Sequence, residues 1–327
     1  MRTQPQTPEL LFSRDGSVLL HCLAGQRKVI GWNFETLTQR YVCDGRLIGV
    51  SESGRLIVTE TEPDRFRFWQ CESGEEAEPE SIDKSDFPFD VRFRVRLQRN
   101  KNRSYDGQWI DITGTDPVVP FVIRPSGTTQ VEVIDNWTVV SSDGRLALAW
   151  AWAEEDFDGA FGAFHERTGG RLSGVTLTVS RFHSVPPMYH YREHDFLITG
   201  LQTGFCVYLA STGKPVGRFQ GEYSFLDGGG SLVVPHPQNR FWLAVNRKPV
   251  LSKHMDRQGF ALVDISSGNQ KPQEIRSFPE SKPVRGLAFH PNGQSIADVL
   301  DDETVHLWDV ESGNLQMKNP QAKVTLV

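Results

Sequence analysis

The chain has 327 residues, 38% of them hydrophobic and 10% aromatic, enough apolar material for a large core built either as two ordinary domains or as one all-β array. A formal charge of −6 at pH 7 leaves no basic footprint, which disfavours a general nucleic-acid binder, and no stretch nears the roughly 18 uninterrupted apolar residues of a membrane helix. The opening MRTQPQTPELLF lacks the apolar core of a secretory signal, so a cytoplasmic location is expected. Cys22, Cys43, Cys71 and Cys206 form no C-x-x-C pair and read as buried, inert thiols.

In chain order, the same short unit keeps returning. The turn SRDG, ending at Gly16, leads to an anchor at Trp32, followed four residues later by Thr36 and then by Leu37. SESG, ending at Gly54, and the alternating run LIVTE lead to Trp69 with Ser73 and Gly74. SYDG, ending at Gly107, leads to Val122 with Ser126 and Gly127; SSDG, ending at Gly144, and LALAWAW lead to Phe164 with Thr168 and Gly169. FLITGL precedes Tyr208 with Thr212 and Gly213, and Val263 carries Ser267 and Gly268. In these two units EHDF and HPQNR stand where a glycine turn is expected. HPNG, ending at Gly293, introduces the last anchor, Trp308, with Ser312 and Gly313.

Turns of this composition supply the positive φ that folds one antiparallel strand back on the next, and no window holds a 3.6-residue period. The expected fold is all-β. Seven anchors spaced 37 to 55 residues apart imply a seven-bladed β-propeller of four-stranded antiparallel blades. It forms one domain over 1–327, with approximate blades 9–43, 44–86, 87–133, 134–180, 181–222, 223–277 and 278–320. Each blade can bury its two faces only against its neighbours, so Trp32, Trp69 and Trp308 are expected between blades, with Val122, Phe164, Tyr208 and Val263 at the matching places.

The last unit, VRGLAFHPNGQSIADVLDDETVHLWDVESG (284–313), carries Pro291-Asn292-Gly293, Asp302-Glu303-Thr304, Trp308-Asp309 and Ser312-Gly313. It resembles a WD-repeat blade, and the looser units are similar to divergent blades of that superfamily. The resemblance implies a buried hydrogen-bonded set of a turn Asp, a His before the first strand, a Ser on the second and the Trp. Asp302 and Trp308 match two of those places. The His place falls on Glu280 and the Ser place on or near Asp298, so the network is not expected here.

Binding is sought where copies depart from the unit. The link AEEDFDGAFG (153–162) carries Glu154, Glu155, Asp156 and Asp158; the link VNRKPVLSKHMDRQGF (245–260) carries Arg247, Lys248, Lys253, His254 and Arg257. A third extension is EEAEPESIDKSDFPFD (75–90), and the resemblance implies one shared face for all three. The acidic link opens like a calcium loop, but its twelfth place is His165, and a solvated hairpin turning at Asp158-Gly159 is the better reading. His183, His190 and His194 lie in a Pro-broken link with no helical pairing, so no metal or cofactor is expected. VRFRVRLQRNKNR (91–103) alternates apolar residues with Arg92, Arg94 and Arg96, as the outer strand of blade two or the inner strand of blade three.

Nucleophile-elbow, P-loop, dinucleotide and zinc-protease motifs do not occur. The expected function is a non-catalytic scaffold whose loop-bearing face takes a protein or peptide, with neither nucleic acid nor membrane as partner. The alternative is a propeller hydrolase or lyase with its site at a central channel.

Overall fold

The computed structural model describes residues 9–319 except 24–25, 63–64, 79–81, 88, 100–104, 115–118, 124–130, 133–138, 141–145, 154–159, 167–171, 176–187, 192–193, 202–203, 210–214, 220–232, 248–258 and 268–271. The described strands group into seven antiparallel sheets. The first contains β1 (Leu10–Phe12), β2 (Val18–Leu23), β3 (Lys28–Asn33) and β4 (Gln39–Asp44); the second β5 (Arg46–Val50), β6 (Leu56–Glu62) and β7 (Arg65–Gln70). The third has β8 (Phe93–Arg99), β9 (Tyr105–Asp111) and β10 (Val119–Ile123). In the fourth, β11 (Val131–Glu132) and β12 (Val139–Val140) both pair with β13 (Leu146–Ala153), and β14 (Ala160–Glu166) and β15 (Leu172–Val175) follow. The fifth has β16 (Met188–Tyr191), β17 (Phe196–Leu201), β18 (Gly204–Leu209) and β19 (Pro215–Phe219). The sixth contains β20 (Val233–Pro235), β21 (Trp242–Asn246), β22 (Gly259–Asp264) and β23 (Gln273–Pro279); the seventh β24 (Val284–Phe289), β25 (Ser295–Leu300), β26 (Val305–Asp309) and β27 (Leu315–Asn319). Short helical turns lie at Lys84–Asp86 and Phe89–Arg92.

All seven anchors fall on the third strand of their sheets: Trp32 on β3, Trp69 on β7, Val122 on β10, Phe164 on β14, Tyr208 on β18, Val263 on β22 and Trp308 on β26. The trailing pair has a physical cause. Asp309 accepts the Ser312 N–H and hydroxyl, each at 2.7 Å, and the Gly313 N–H closes the turn on the Asp309 carbonyl at φ +74°. In the first sheet Asn33 caps Glu35 and Thr36, and Leu37 takes the left-handed place at φ +49°.

Several local expectations are corrected. The four-strand pattern holds in the first, fifth, sixth and seventh sheets; among the described residues the second and third have three strands, and the fourth has five. In the second sheet the missing strand is reduced to a bridge between Trp69 and Glu76. Gly107 is no turn residue: it lies inside β9, paired with Leu97 on β8 and Phe121 on β10. The Arg-rich run is the first strand of the third sheet, because β8 pairs with β9. In EHDF, Asp195 adopts the left-handed conformation, φ +54°, that glycine supplies elsewhere. Asp and Asn tolerate it because their short polar side chains bond locally.

The chain divides into two compact units: Met1–Pro5 with Phe87–Gln202 and Cys206–Val216, and Gln6–Asp86 with Thr203–Phe205 and Gly217–Val327. The second holds the first, second, sixth and seventh sheets, joined by three apolar layers. Trp69 packs with Leu20, Val29 and Cys43 between the second and first sheets. Trp32 packs with Leu10, Ala297 and Leu307 between the first and seventh, and Trp308 with Phe260, Phe278 and Ala244 between the seventh and sixth. The first and last sheets of the chain are therefore neighbours. At one end of this unit the first-to-second-strand turns nest. Gly16 lies against His290, where a Cβ would come within 2.0 Å of the ring, and Gly293 lies against His236. His290 itself stacks on Phe34 at 4.3 Å.

All four cysteines are buried thiols, and burial pushes the Cys43 thiol up to about 12 and the Cys71 thiol up to about 11.

Candidate functional site

The opposite end of the same unit, where links between second and third strands emerge, gathers charge from all four sheets. Register explains part of it. On the second strand, the residue two past the partner of each tryptophan is polar and fully buried: His21 beyond Leu19, Thr59 beyond Ile57, and Asp298 beyond Ile296. Where the anchor is Val263, the same place is Val245. In the second sheet the Trp69 indole donates to Thr59 Oγ1 at 2.8 Å, and Thr59 donates to the Asp44 carbonyl.

In the seventh sheet that place builds a denser cluster. Glu280, just before β24, and Asp298 on β25 meet His306 on β26, all three buried. His306 Nδ1 lies 2.5 Å from Glu280 Oε1 and 3.7 Å from Asp298 Oδ1. Burial, and then the neighbouring Glu280 carboxylate, push the Asp298 carboxyl well above its ordinary value. The His and Ser places of the resemblance are thus refilled by Glu280 and Asp298, and His306 is added. Asp302, the turn Asp, points elsewhere: it pairs with Lys282, whose bond holds its carboxyl down at about 2.

Beside this cluster, Arg285 of β24 bonds Glu9 Oε1 at 3.0 Å and Glu303 Oε1 at 2.9 Å, with Asp301 at 4.0 Å. Glu303 Oε2 also lies 3.0 Å from Nε2 of the buried His21. The group ties the first sheet to the last. Burial pushes Glu9 up to about 7 against the opposing pull of Arg285, whereas in Glu303 the bonds and charges of His21 and Arg285 outweigh burial and bring the carboxyl down. For Glu9 the sign follows directly. The folded chain holds a proton that the unfolded chain releases between pH 4.5 and about 7, so this residue's contribution falls as pH rises through that window. Glu9→Gln is expected to raise stability by about 1 kcal/mol at pH 8 and to leave it unchanged near pH 4.5. Urea unfolding at the two pH values reads this; an equal effect at both would show that Glu9 titrates normally.

The basic link starts at this end too. Its feet are clamped: Asn246 donates to the Val284 carbonyl at 2.9 Å, and Arg247 bonds Glu274 at 2.6 Å and Ser277 at 2.9 Å. Arg247 is therefore spent within the fold. Lys248, Lys253, His254 and Arg257, and the acidic Glu154, Glu155, Asp156 and Asp158, lie outside the described residues. The third extension does not stay at this end. Its Asp86 returns to the opposite one, where it accepts the Ser53 N–H at 2.7 Å and the Ser53 hydroxyl at 2.5 Å.

No family model matches the chain. A stretch of 83 residues is 30% identical to the nuclear distribution protein PAC1 of Scheffersomyces stipitis, covering 25% of this chain and only 13% of that protein. The β-propeller domain of Myceliophteria thermophila Cps50 (Swd1) superposes with a TM-score of 0.60 at 13% identity, over 95% of this chain and 98% of that one. A chain of the mitotic checkpoint complex gives 0.56 at 13% identity, over 93% and 87%. A chain of Kuenenia stuttgartiensis hydrazine synthase gives 0.55 at 14% identity, over 98% and 97%. At such identities the likeness is one of fold, and the fold this chain shares with Cps50 is that of a β-propeller.

Proposed function

We propose that the chain is a single seven-bladed propeller over 1–327, closed by its first and last blades, that acts in the cytoplasm as a non-catalytic scaffold. It holds a protein or peptide partner at the end where the second-to-third-strand links emerge. The observation that carries this reading is the link 247–258. Its counterparts in the other sheets of the same unit are no longer than residues 24–27, 63–64 and 301–304, and yet it rises from a clamped foot on a buried strand of the sixth sheet. A long insertion on a rigid base is how a propeller presents a binding loop without loosening its core. Four basic or titratable side chains, Lys248, Lys253, His254 and Arg257, give that loop the charge to steer an acidic partner. Proteins of the same fold work in assemblies, as the mitotic checkpoint complex shows for one of them.

Replacing Lys248, Lys253 and Arg257 together by Glu, with Arg247 kept for its bond to Glu274, should weaken partner capture by about tenfold or more and flatten its salt dependence. Quantitative pull-down from host lysate, followed by titration of the identified partner, measures it. Undiminished capture by a folded variant would remove the link from the interface.

A further inference from the structure

The Glu280, Asp298 and His306 cluster holds chemistry that packing alone does not use. Asp298 and His306 are direct partners across β25 and β26, so their separation is fixed by the ladder, and Glu280 reaches them from the link into β24. One imidazole nitrogen and two carboxylate oxygens lie within 4.8 Å of one another, and all three residues are buried. Asp298 is 0% exposed, and neither of its oxygens meets a donor in good hydrogen-bond geometry, although the Trp308 indole and the His306 backbone N–H lie beside it. A carboxylate so placed is tolerated only when a proton or a cation takes up its charge.

We propose that Glu280, Asp298 and His306 bind a divalent cation of the Zn2+ class inside the last sheet. Two carboxylates and a neutral imidazole carry a charge of −2, which such an ion cancels. Zinc bonds of about 2.0–2.2 Å set neighbouring ligand atoms a little over 3 Å apart, between the 2.5 Å and 3.7 Å now separating His306 Nδ1 from the two carboxylates. Small side-chain shifts on an otherwise fixed ladder would therefore seat the ion. The donor set selects the metal class. An imidazole in a dry site suits zinc and its neighbours, whereas calcium and magnesium prefer all-oxygen shells and keep water. Trp308 Nε1, buried beside Asp298, is the donor that would orient the ligating carboxylate.

The test uses the full chain with Zn2+ alone as the probe. After incubation and desalting, elemental analysis should find about one zinc per chain, and zinc should raise Tm by at least about 4 °C, reversed by a chelator. Asp298→Asn keeps the shape and removes one charged ligand; it should lose both effects with its far-ultraviolet spectrum unchanged. Equal retention by wild type and variant would place the zinc on surface histidines and overturn the proposal. Should the variant not fold, Co2+ uptake by the wild-type chain decides. Visible d–d bands of a four- or five-coordinate mixed nitrogen and oxygen site support it. Their absence leaves Asp298 and Glu280 sharing a proton instead.

Discussion

Gly259→Ala should be among the most damaging single-methyl changes in the protein, costing about 3 kcal/mol or more. The residue opens β22 at φ +112°, a region closed to side chains bearing a Cβ, and the added carbon would lie 2.1 Å from the Phe278 carbonyl oxygen and 2.8 Å from the Glu280 nitrogen. Both obstacles are backbone, so no rotamer change relieves them. The clash also falls where Gly259 pairs with Pro279 across β22 and β23 and accepts the Arg247 N–H, at the second foot of the basic link. A shift there would displace Phe260 from its stack on Phe278, at 4.4 Å and 9°, and through it disturb Trp308. Gly114→Ala is the control. Its φ of +69° is also left-handed, but nothing lies within 4 Å of the added carbon, so the change should cost only about 1 kcal/mol. Urea midpoints of the two variants read the difference, and equal losses would mean that the β22–β23 junction yields to accommodate the methyl.

The contrast between these glycines marks what a linear pattern can convey. The third-strand anchors were legible because the turn that follows them is left-handed at its fifth residue, at Leu37, Gly74 and Gly313, and in the first and last sheets it is capped at its first, Asn33 and Asp309. The all-β class and the propeller-like order of sheets followed from that trace. Turn composition alone misled at Gly107, because a glycine inside a strand has the same neighbours in sequence as one that ends a turn. The charged end was less legible. Asp298 looked like a mismatch to the resemblance, and only the register shows that it shares its place with His21 and Thr59. The signal was present: two residues past its partner on the preceding strand each tryptophan anchor has a polar residue, whereas Val263 has Val245. Arg247 looked like a free loop charge because its partners, Glu274 and Ser277, lie on a strand further along the chain. Glu9 and Arg285 are 276 residues apart, and no local pattern announces a pair of that span.

That long-range pair should also be the costliest charge to remove. Arg285→Met keeps most of the side chain's volume but leaves Glu9, 5% exposed, facing Glu303 and Asp301 with no cation between them. Stripping one partner from a buried ion pair costs about 3–5 kcal/mol, and because Arg285 is partly exposed the lower figure is expected at pH 8. The loss should shrink near pH 5. Burial already holds Glu9 at about 7 against the pull of Arg285, so without the guanidinium the carboxyl titrates higher still and is neutral at pH 5. The penalty of an unpaired carboxylate then disappears, leaving the lost packing and the bonds to Glu303. Adding Glu9→Gln to Arg285→Met should recover part of the stability at pH 8 and almost none at pH 5, since the two changes act on one contact and cannot add. Unfolding of the two singles and the double at both pH values completes the cycle. A loss independent of pH would reduce Arg285 to a packing residue. A pH-dependent loss that the double variant repairs would show that the junction of the first and last sheets is held by charge, at the same end from which the basic link rises.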